Sequence, residues 1–514
     1  MINFRIVVGM LLAGAPCMGF TQNLDAYVGW HKEWNDTLKG INLPAARQFM
    51  QDYKIRPKRT VIIGIIDSGI EPGDQSVAGS LWTNKKEKLN GKDDDGNGYV
   101  DDVHGWNFLG TKDGTFNMTS AGTEEFREFK RLYPKYKNVN EKDPQVEDEE
   151  EYKYYLRMKK KAGIAGYIRF YGYAQQKNAC IDKMDSILHI QPQLAIDTLT
   201  LGGMMHQEVA DTLWSAYAEA ILADLLRADR NMLWKDFVKK QHDDLKLMAR
   251  RIYGIEHDAD KRLLMGDNME DAEDLFYGNN TLNVEGHDHG HFVATVVAGR
   301  SVDSRRDGIW PAAKLLTVRC APNGDEYDKD VSSAIRYAVD NGAKVLNISL
   351  GKYTSPRADM VNAALEYAAS KDVLVITAGG NNHLNIDTTY YYPTAIDAHG
   401  RPLSNVIRVG GSAMDGSLSS ISNFGSERID LYAPGEYIAG FYPGDKPDMA
   451  NGTSVAAPVV SGVAAMLRAC FPKLKAPQLK QILMTTVHKM PGLKCVSGGI
   501  VDAYAALKMA ANKR

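Results

Sequence analysis

Cysteine is scarce in this chain, with five in 514 residues, and one of them, Cys17, falls within the first twenty positions. The others, Cys180, Cys320, Cys470 and Cys495, are too few and too scattered for a disulfide scaffold and match no zinc spacing. One bridge between the nearest pair, Cys470 and Cys495, and four buried thiols both stand as readings. Excess charge is also missing. Lys and Arg number 61 against 64 Asp and Glu, a formal charge of −3, so nothing global draws the chain to nucleic acid or anionic lipid. No period of 20–50 residues repeats, and beyond the first twenty residues no apolar run is long enough to span a bilayer. At 44% hydrophobic and 24% charged residues, the composition excludes disordered, collagenous and coiled-coil chains. A globular protein remains, with room for several domains or for one large domain carrying an insertion.

The chain opens MINFRIVVGMLLAGAPCMGFTQN, where Arg5 precedes an apolar run from Ile6 to Phe20. That layout predicts a secretory signal peptide over residues 1–21, cut near Thr21–Gln22, and an exported product that is periplasmic, held at the cell surface or secreted. Leu12–Cys17 loosely resembles a lipoprotein signal, which would put a lipid anchor on Cys17; Pro16 directly before it argues against that.

Residues 61–66, VIIGII, form an apolar β-branched run ending at Asp67-Ser68-Gly69, the pattern of a buried parallel strand and a tight turn. Similar runs at Lys314–Cys320, Ala343–Ser349, Val373–Ala378 and Val406–Val409 alternate with helical patterns near 328–341 and 356–371. Three more helices are expected at 453–469, 477–489 and 502–511. The alternation predicts an α/β fold with a doubly wound, mostly parallel sheet. Residues 110–282 differ in texture, rich in Lys, Glu, Asp, Met and Tyr. There Val209, Leu213, Tyr217, Ile221 and Leu225 recur every fourth position, and Trp234, Phe237, Leu245, Met248 and Ile252 mark a second helix. The acidic run Asp143–Glu151 suits a solvated helix N-terminus. The chain thus divides into residues 22–109 and 283–514, forming one domain, and a helical insertion over 110–282.

Four short stretches carry chemistry: Ile65-Ile66-Asp67-Ser68-Gly69, His287-Asp288-His289-Gly290-His291, Ala378-Gly379-Gly380-Asn381 and Gly452-Thr453-Ser454-Val455-Ala456-Ala457-Pro458. Singly, each has a structural explanation as a turn, a cap or a helix start. Together, in that order, they resemble the subtilisin-type serine proteases, the subtilases. The likeness continues in Asn347-Ile348-Ser349-Leu350-Gly351, Ser422-Asn423-Phe424-Gly425 and Ala433-Pro434-Gly435. It covers about 57–105 and 284–510 and leaves out the core of the insertion.

The resemblance implies Ser454 as nucleophile, His289 as its base, and Asp67 as the group that orients the imidazole. It also implies an oxyanion hole from Asn381 and the Ser454 backbone N–H. Ser349, Leu350 and Gly351, with Gly379 and Gly380, would line the substrate site, the first three pairing with the peptide as an added strand. Departures are visible. The usual His-Gly-Thr-His reads His289-Gly290-His291-Phe292, and Trp310 stands where Ala is usual. Asp67 and His289 lie 222 residues apart, far more than a connection needs. The insertion therefore falls between the first two members of the triad, near the rim of the site.

A second constellation runs from Asp93 to Asp102, DDDGNGYVDD. Asp93, Asp95, Asn97, the Tyr99 carbonyl and Asp101 occupy the spacing of a calcium loop, with His104 where an EF-hand has its Glu. A structural calcium ion and an acidic surface turn are both compatible with it. The leading expectation is an exported serine endopeptidase acting on protein or peptide substrates, with no nucleic acid and no transmembrane span. A transpeptidase, with the insertion shielding the acyl-enzyme from water, and a catalytically weak binding protein on the same scaffold are the alternatives.

Overall fold

A computed structural model describes residues 27–142, 144–188, 190, 192–193, 212–228 and 231–513. The expected signal peptide, Cys17, Val209 and Asp143 lie outside the described residues. Nine strands make the main sheet: β1 (Ile62–Asp67), β2 (Gly105–Asn107), β4 (Lys314–Arg319), β6 (Val345–Ile348), β7 (Leu374–Ala378), β8 (Val406–Ser412), β9 (Leu431–Pro434), β12 (His488–Lys489) and β13 (Gly499–Ile500). Two small pairs lie apart from it, β3 (Ser120–Gly122) with β5 (Asn323–Gly324), and β10 (Ile438–Tyr442) with β11 (Lys446–Ala450). The order in the main sheet is β12-β13-β9-β8-β7-β6-β1-β4-β2, and every pairing is parallel except β12 with β13.

Side-chain alternation sorts the strands onto two cores. Ile63, Ile65, Leu315, Val345, Leu374 and Ile376 face the helices Asp288–Ala298 and Thr453–Cys470. Ile66, Leu316, Val318, Leu346, Ile348 and Val375 face the helices Asp328–Asp340 and Ala358–Ser370. A period of two and burial on both sides explain why these runs read as continuously apolar. Thr453–Cys470 is the one described helix long and apolar enough to cross a membrane, and it lies inside the core. Cys180, Cys320, Cys470 and Cys495 are buried and no disulfide joins them, the thiol alternative of the two expected.

β1 sits mid-sheet. After β4 pairs with one of its edges, the chain crosses to the other edge with β6 and continues outward to β9. Ligands of open α/β sheets bind outside the carboxyl ends of the strands where the order reverses, and Asp67 is the last residue of β1.

Between β3 and β4 run the helices Glu124–Tyr136, Glu149–Lys161, Ile164–Leu188, Thr212–Arg227 and Trp234–His257. Asp148 caps the second, accepting from the Glu151 N–H at 2.9 Å, with three glutamates in its first turn and three lysines in its last. These charges complement the helix dipole, as the acidic run suggested. The helices share two small cores of their own, one around Phe129, Tyr136, Tyr152 and Tyr155, the other around Cys180, Met184, Ile221 and Phe237.

Candidate active site

Asp67, His289, Asn381 and Ser454 come from four separate elements. Asp67 ends β1, His289 stands in the first turn of Asp288–Ala298, Asn381 follows β7, and Ser454 stands in the first turn of Thr453–Cys470. The Asp67 carboxylate accepts from His289 Nδ1 at 2.7 Å and from the Ser68 N–H at 2.8 Å. Its other oxygen is buried without a hydrogen-bond partner. The Ser68 hydroxyl in turn accepts from the Gly290 N–H at 3.0 Å, tying the turn after β1 to the histidine helix. Burial opposes protonation of His289, but the charge and hydrogen bond of Asp67 outweigh it and hold the imidazole above its ordinary pKa. With Nδ1–H donated to Asp67, Nε2 is left as the basic nitrogen, and the side chain is 47% exposed toward the cleft.

Asn381 is oriented through its amide oxygen. Oδ1 accepts from the Thr453 N–H at 2.8 Å and the Thr453 hydroxyl at 2.9 Å, while Thr453 Oγ1 accepts from the Gly380 N–H at 2.9 Å. That pattern leaves Nδ2 as a donor facing Ser454. The close approach explains Gly452, which has φ 145°: a Cβ there would lie 3.2 Å from both Asn381 Nδ2 and Ser454 Oγ. Gly380, at φ 96°, is equally constrained, since a Cβ would fall 2.2 Å from Asn423 Nδ2. Asn423 Nδ2 donates to the Gly379 carbonyl at 2.9 Å, so the Gly379-Gly380 turn is held from behind.

Ser454 is half-buried. Its carbonyl accepts from the Ser349 hydroxyl at 2.7 Å, and Asn347 Nδ2 donates to Ser349 Oγ at 2.9 Å. Asn347 is held in turn by the Ser461 hydroxyl, 2.8 Å from its Oδ1. The Ser454 N–H has no hydrogen-bond partner among the described residues, as expected for the opening turn of a helix. No hydrogen bond joins Ser454 Oγ to His289 in this structure. Leu350 is buried, and neither it nor Gly351 makes a backbone hydrogen bond outside the sheet ladder.

The two departures from the family pattern are accommodated by packing. His291 is fully buried; its Nδ1 accepts from the Glu71 N–H at 3.2 Å, and Nε2 lies 3.5 Å from Asp74 Oδ2. Burial lowers its pKa despite the nearby carboxylates, and its ring nitrogens are engaged by the segment Glu71–Asp74. Phe292 fills core space, its ring 4.9 Å from that of Tyr442. Trp310 is half-buried against the same core.

At the acidic loop, ligand atoms of Glu87, Asp93 and Asp95 lie within 4.8 Å of one another. Three such carboxylates suit a hard divalent cation. Asp93 and Asp95 are two of the expected ligands, and the Asn97 and Asp101 side chains carry hydrogen bonds from nearby backbone. Asp101, at φ 56°, accepts from the Asn90 and Gly91 N–H groups, and Asn97 Oδ1 accepts from the Tyr99 N–H at 2.8 Å. Asp102, buried beneath, accepts from Tyr337 OH at 2.7 Å, and burial pushes its carboxyl up to about 6. Glu87 was not anticipated, because it lies outside the spacing that marks the loop.

A sequence model described as the Subtilase family matches residues 58–499. M-protease of Shouchella clausii is 30% identical over 225 residues, 44% of this chain and 56% of that protein. Thermitase of Thermoactinomyces vulgaris is 29% identical over 286 residues, 53% of this chain and 97% of that protein. Among solved structures, a protease from Pseudoalteromonas arctica aligns at a TM-score of 0.38 and 28% identity, covering 43% of this chain and 70% of the other.

Proposed function

The chain belongs to the subtilase family of serine proteases, and from that premise we propose that it is an exported endopeptidase that cleaves proteins or peptides through an acyl-enzyme on Ser454. The observation that carries this reading is the buried Asp67 carboxylate accepting from His289 Nδ1 at 2.7 Å, which sets the tautomer a base requires.

The Ser454 hydroxyl gives its proton to His289 Nε2 as its oxygen attacks the scissile carbonyl. Contacts of this kind tighten in the substrate complex. The carbonyl oxygen becomes an oxyanion received by Asn381 Nδ2 and the Ser454 N–H, both donors already aimed and without partners to give up. His289 then returns the proton to the leaving amine as the carbon–nitrogen bond breaks. Water, deprotonated by the same Nε2, releases the acid. The peptide lies along Ser349–Gly351, whose open edge offers backbone groups to an added strand.

Glu87, Asp93 and Asp95 would hold a calcium ion, which would brace the loop and supply no step of the reaction. The leader-like opening of the chain supports export, to the periplasm, the cell surface or the medium.

Labelling with a fluorophosphonate, read by intact mass, tests the proposal. The wild type should gain one adduct and Ser454→Ala none, and EDTA should lower the melting temperature if calcium braces the loop. A folded wild type that takes no label would overturn the reading.

A further inference from the structure

The open edge next to Ser454 is short, and the insertion ends it. Ser349 marks the catalytic end, because its hydroxyl bonds the Ser454 carbonyl at 2.7 Å. Along an extended strand, alternate residues present their N–H and C=O to the same side, so Ser349 and Gly351 share the edge available to a peptide. Lys352 faces the other way: its N–H donates to the Tyr392 carbonyl at 3.3 Å and its carbonyl accepts from the Tyr392 N–H at 2.9 Å. The chain bends at Tyr353, two residues past Gly351.

The insertion closes on this same point. Lys352 Nζ, buried, reaches Glu124 Oε2 at 2.6 Å, the Glu326 carbonyl at 2.7 Å and Asp328 Oδ1 at 2.9 Å. Thr354 donates to Glu125 Oε1 at 2.6 Å, and Lys161 Nζ donates to Thr354 Oγ1 at 3.1 Å. Opposite them, β3 pairs with β5, the Asn323 N–H bonding the Thr119 carbonyl at 2.8 Å and the Asp325 N–H the Gly122 carbonyl at 2.8 Å. Arg127 locks the two sides together, donating to the Asp325 carbonyl at 2.8 Å with its guanidinium 4.0 Å above the Tyr327 ring. The returning end of the insertion grips the same segment, with Asp260 accepting from Tyr327 OH and Arg262 paired to Asp267 and Asp330, all three buried. Buried ion pairs hold the insertion beside this edge at both of its ends, as a wall.

We propose that the wall at Glu124, Glu125 and Lys352 sets substrate length: the enzyme reads about three residues on the acyl side of the scissile bond, the span of Ser349–Gly351 at ~3.3 Å per residue, and gains nothing from a longer chain. The inference rests on the protease reading above. It names as the substrate class peptides and unfolded segments that bind through a short acyl-side stretch.

The test is a series of chromogenic peptide amides with one to six residues before the cleaved bond, acting on the full mature chain. In the wild type, kcat/KM should climb through the third residue and then stay level. A further rise of more than about tenfold between the third and fifth residues would overturn the proposal. The double variant Glu124→Ala/Lys352→Gly removes both members of that ion pair, leaving Asp328 and Arg127, and should gain on the four- and five-residue substrates. If it folds and keeps the wild-type plateau, the wall is misassigned; if it fails to fold, the wild-type series decides. Absence of turnover at every length, together with absence of fluorophosphonate labelling, would instead defeat the protease reading, and this inference with it.

Discussion

The sheet and the insertion are stabilised in opposite ways. The sheet domain has a large apolar core on each face of the sheet, with the helices Asp288–Ala298 and Thr453–Cys470 buried along nearly their whole length. The insertion has two small aromatic and aliphatic cores; it meets the sheet domain through Met118, Met265 and Tyr277, through the β3–β5 pairing, and through buried charge, Glu124 with Lys352, Arg262 with Asp330 and Lys329 with Asp267. Apolar packing is non-directional and tolerant of repacking, whereas a buried ion pair has one geometry and is costly to half-remove. The proposed reacting groups therefore rest on the rigid core, and the element that shapes access is pinned at a few chosen points.

The largest expected effect separates the two regions by function. Ser454→Ala should lower kcat by about a millionfold, and Asp67→Asn by about ten-thousandfold, the sizes known for such triads, with the melting temperature nearly unchanged. Loss of folding in Ser454→Ala would contradict the idea that the core holds this residue without needing it. Asn381→Leu should cost about 100–1,000-fold in kcat with little change in KM. A change confined to KM would remove Asn381 from the oxyanion hole.

On the insertion side the effects are on stability. Glu124→Gln removes one of the two carboxylates on the buried Lys352, leaving Asp328, and should cost less than the ~3–5 kcal/mol of a fully broken buried pair, seen as lower protection of residues 120–136 in hydrogen exchange while Ser454 still labels. Uniform loss of protection across the sheet would mean that the two regions unfold as one. By contrast Lys153→Ala, which removes an exposed lysine paired to Glu149 and Glu150, should leave the melting curve unmoved.

The same contrast governs what could be read from the amino-acid order. The strands β1, β4, β6, β7 and β8 and the helices after 311 were legible to within a few residues, because burial on both faces writes continuous β-branched runs, as at Ile62–Asp67, whereas β2, β9 and β13, at two to four residues, were not anticipated. Asp67, His289, Asn381 and Ser454, the proposed reacting groups, stand out in the sequence because each sits in a compact motif at the end of a strand or the start of a helix. Contacts made by side chains far apart in sequence left no local mark. Lys352 reads as a surface lysine until Glu124 and Asp328 are placed beside it, and Glu87 reads as one more charge in a polar loop. β3 and β5 are two or three residues long, too short for any period. The antiparallel edge strand His488–Lys489 was hidden inside what periodicity extended as a helix to Lys489, while the helix itself ends at Thr485.

Protonation sharpens the comparison further. His289 is held above its ordinary value because Asp67 outweighs the cost of burial. The proposed reaction needs the neutral imidazole, so activity should fall on the acid side with a midpoint above about 6.5. In Asp67→Asn burial acts alone, and the midpoint of the residual activity should move below that of the wild type; an unmoved midpoint would detach His289 from the acid limb. The group binds its proton more tightly folded than unfolded, so its contribution to stability is complete below about pH 6.5 and is lost as pH rises through the folded value.

At the insertion contact, Glu326 follows the same rule from a different cause. Burial pushes its carboxyl up to about 7, against the pull of Lys352. An unfolded glutamate titrates near 4.3, so Glu326 should withdraw stability progressively between about pH 4.3 and 7. Replacing it with glutamine removes that loss. Glu326→Gln should melt higher than the wild type at pH 8, and the advantage should shrink or vanish at pH 4.5. An advantage that is the same at both pH values would mean that the carboxylate is already ionised at the acid end, and that the wall tolerates a buried charge at Glu326 as readily as at Glu124.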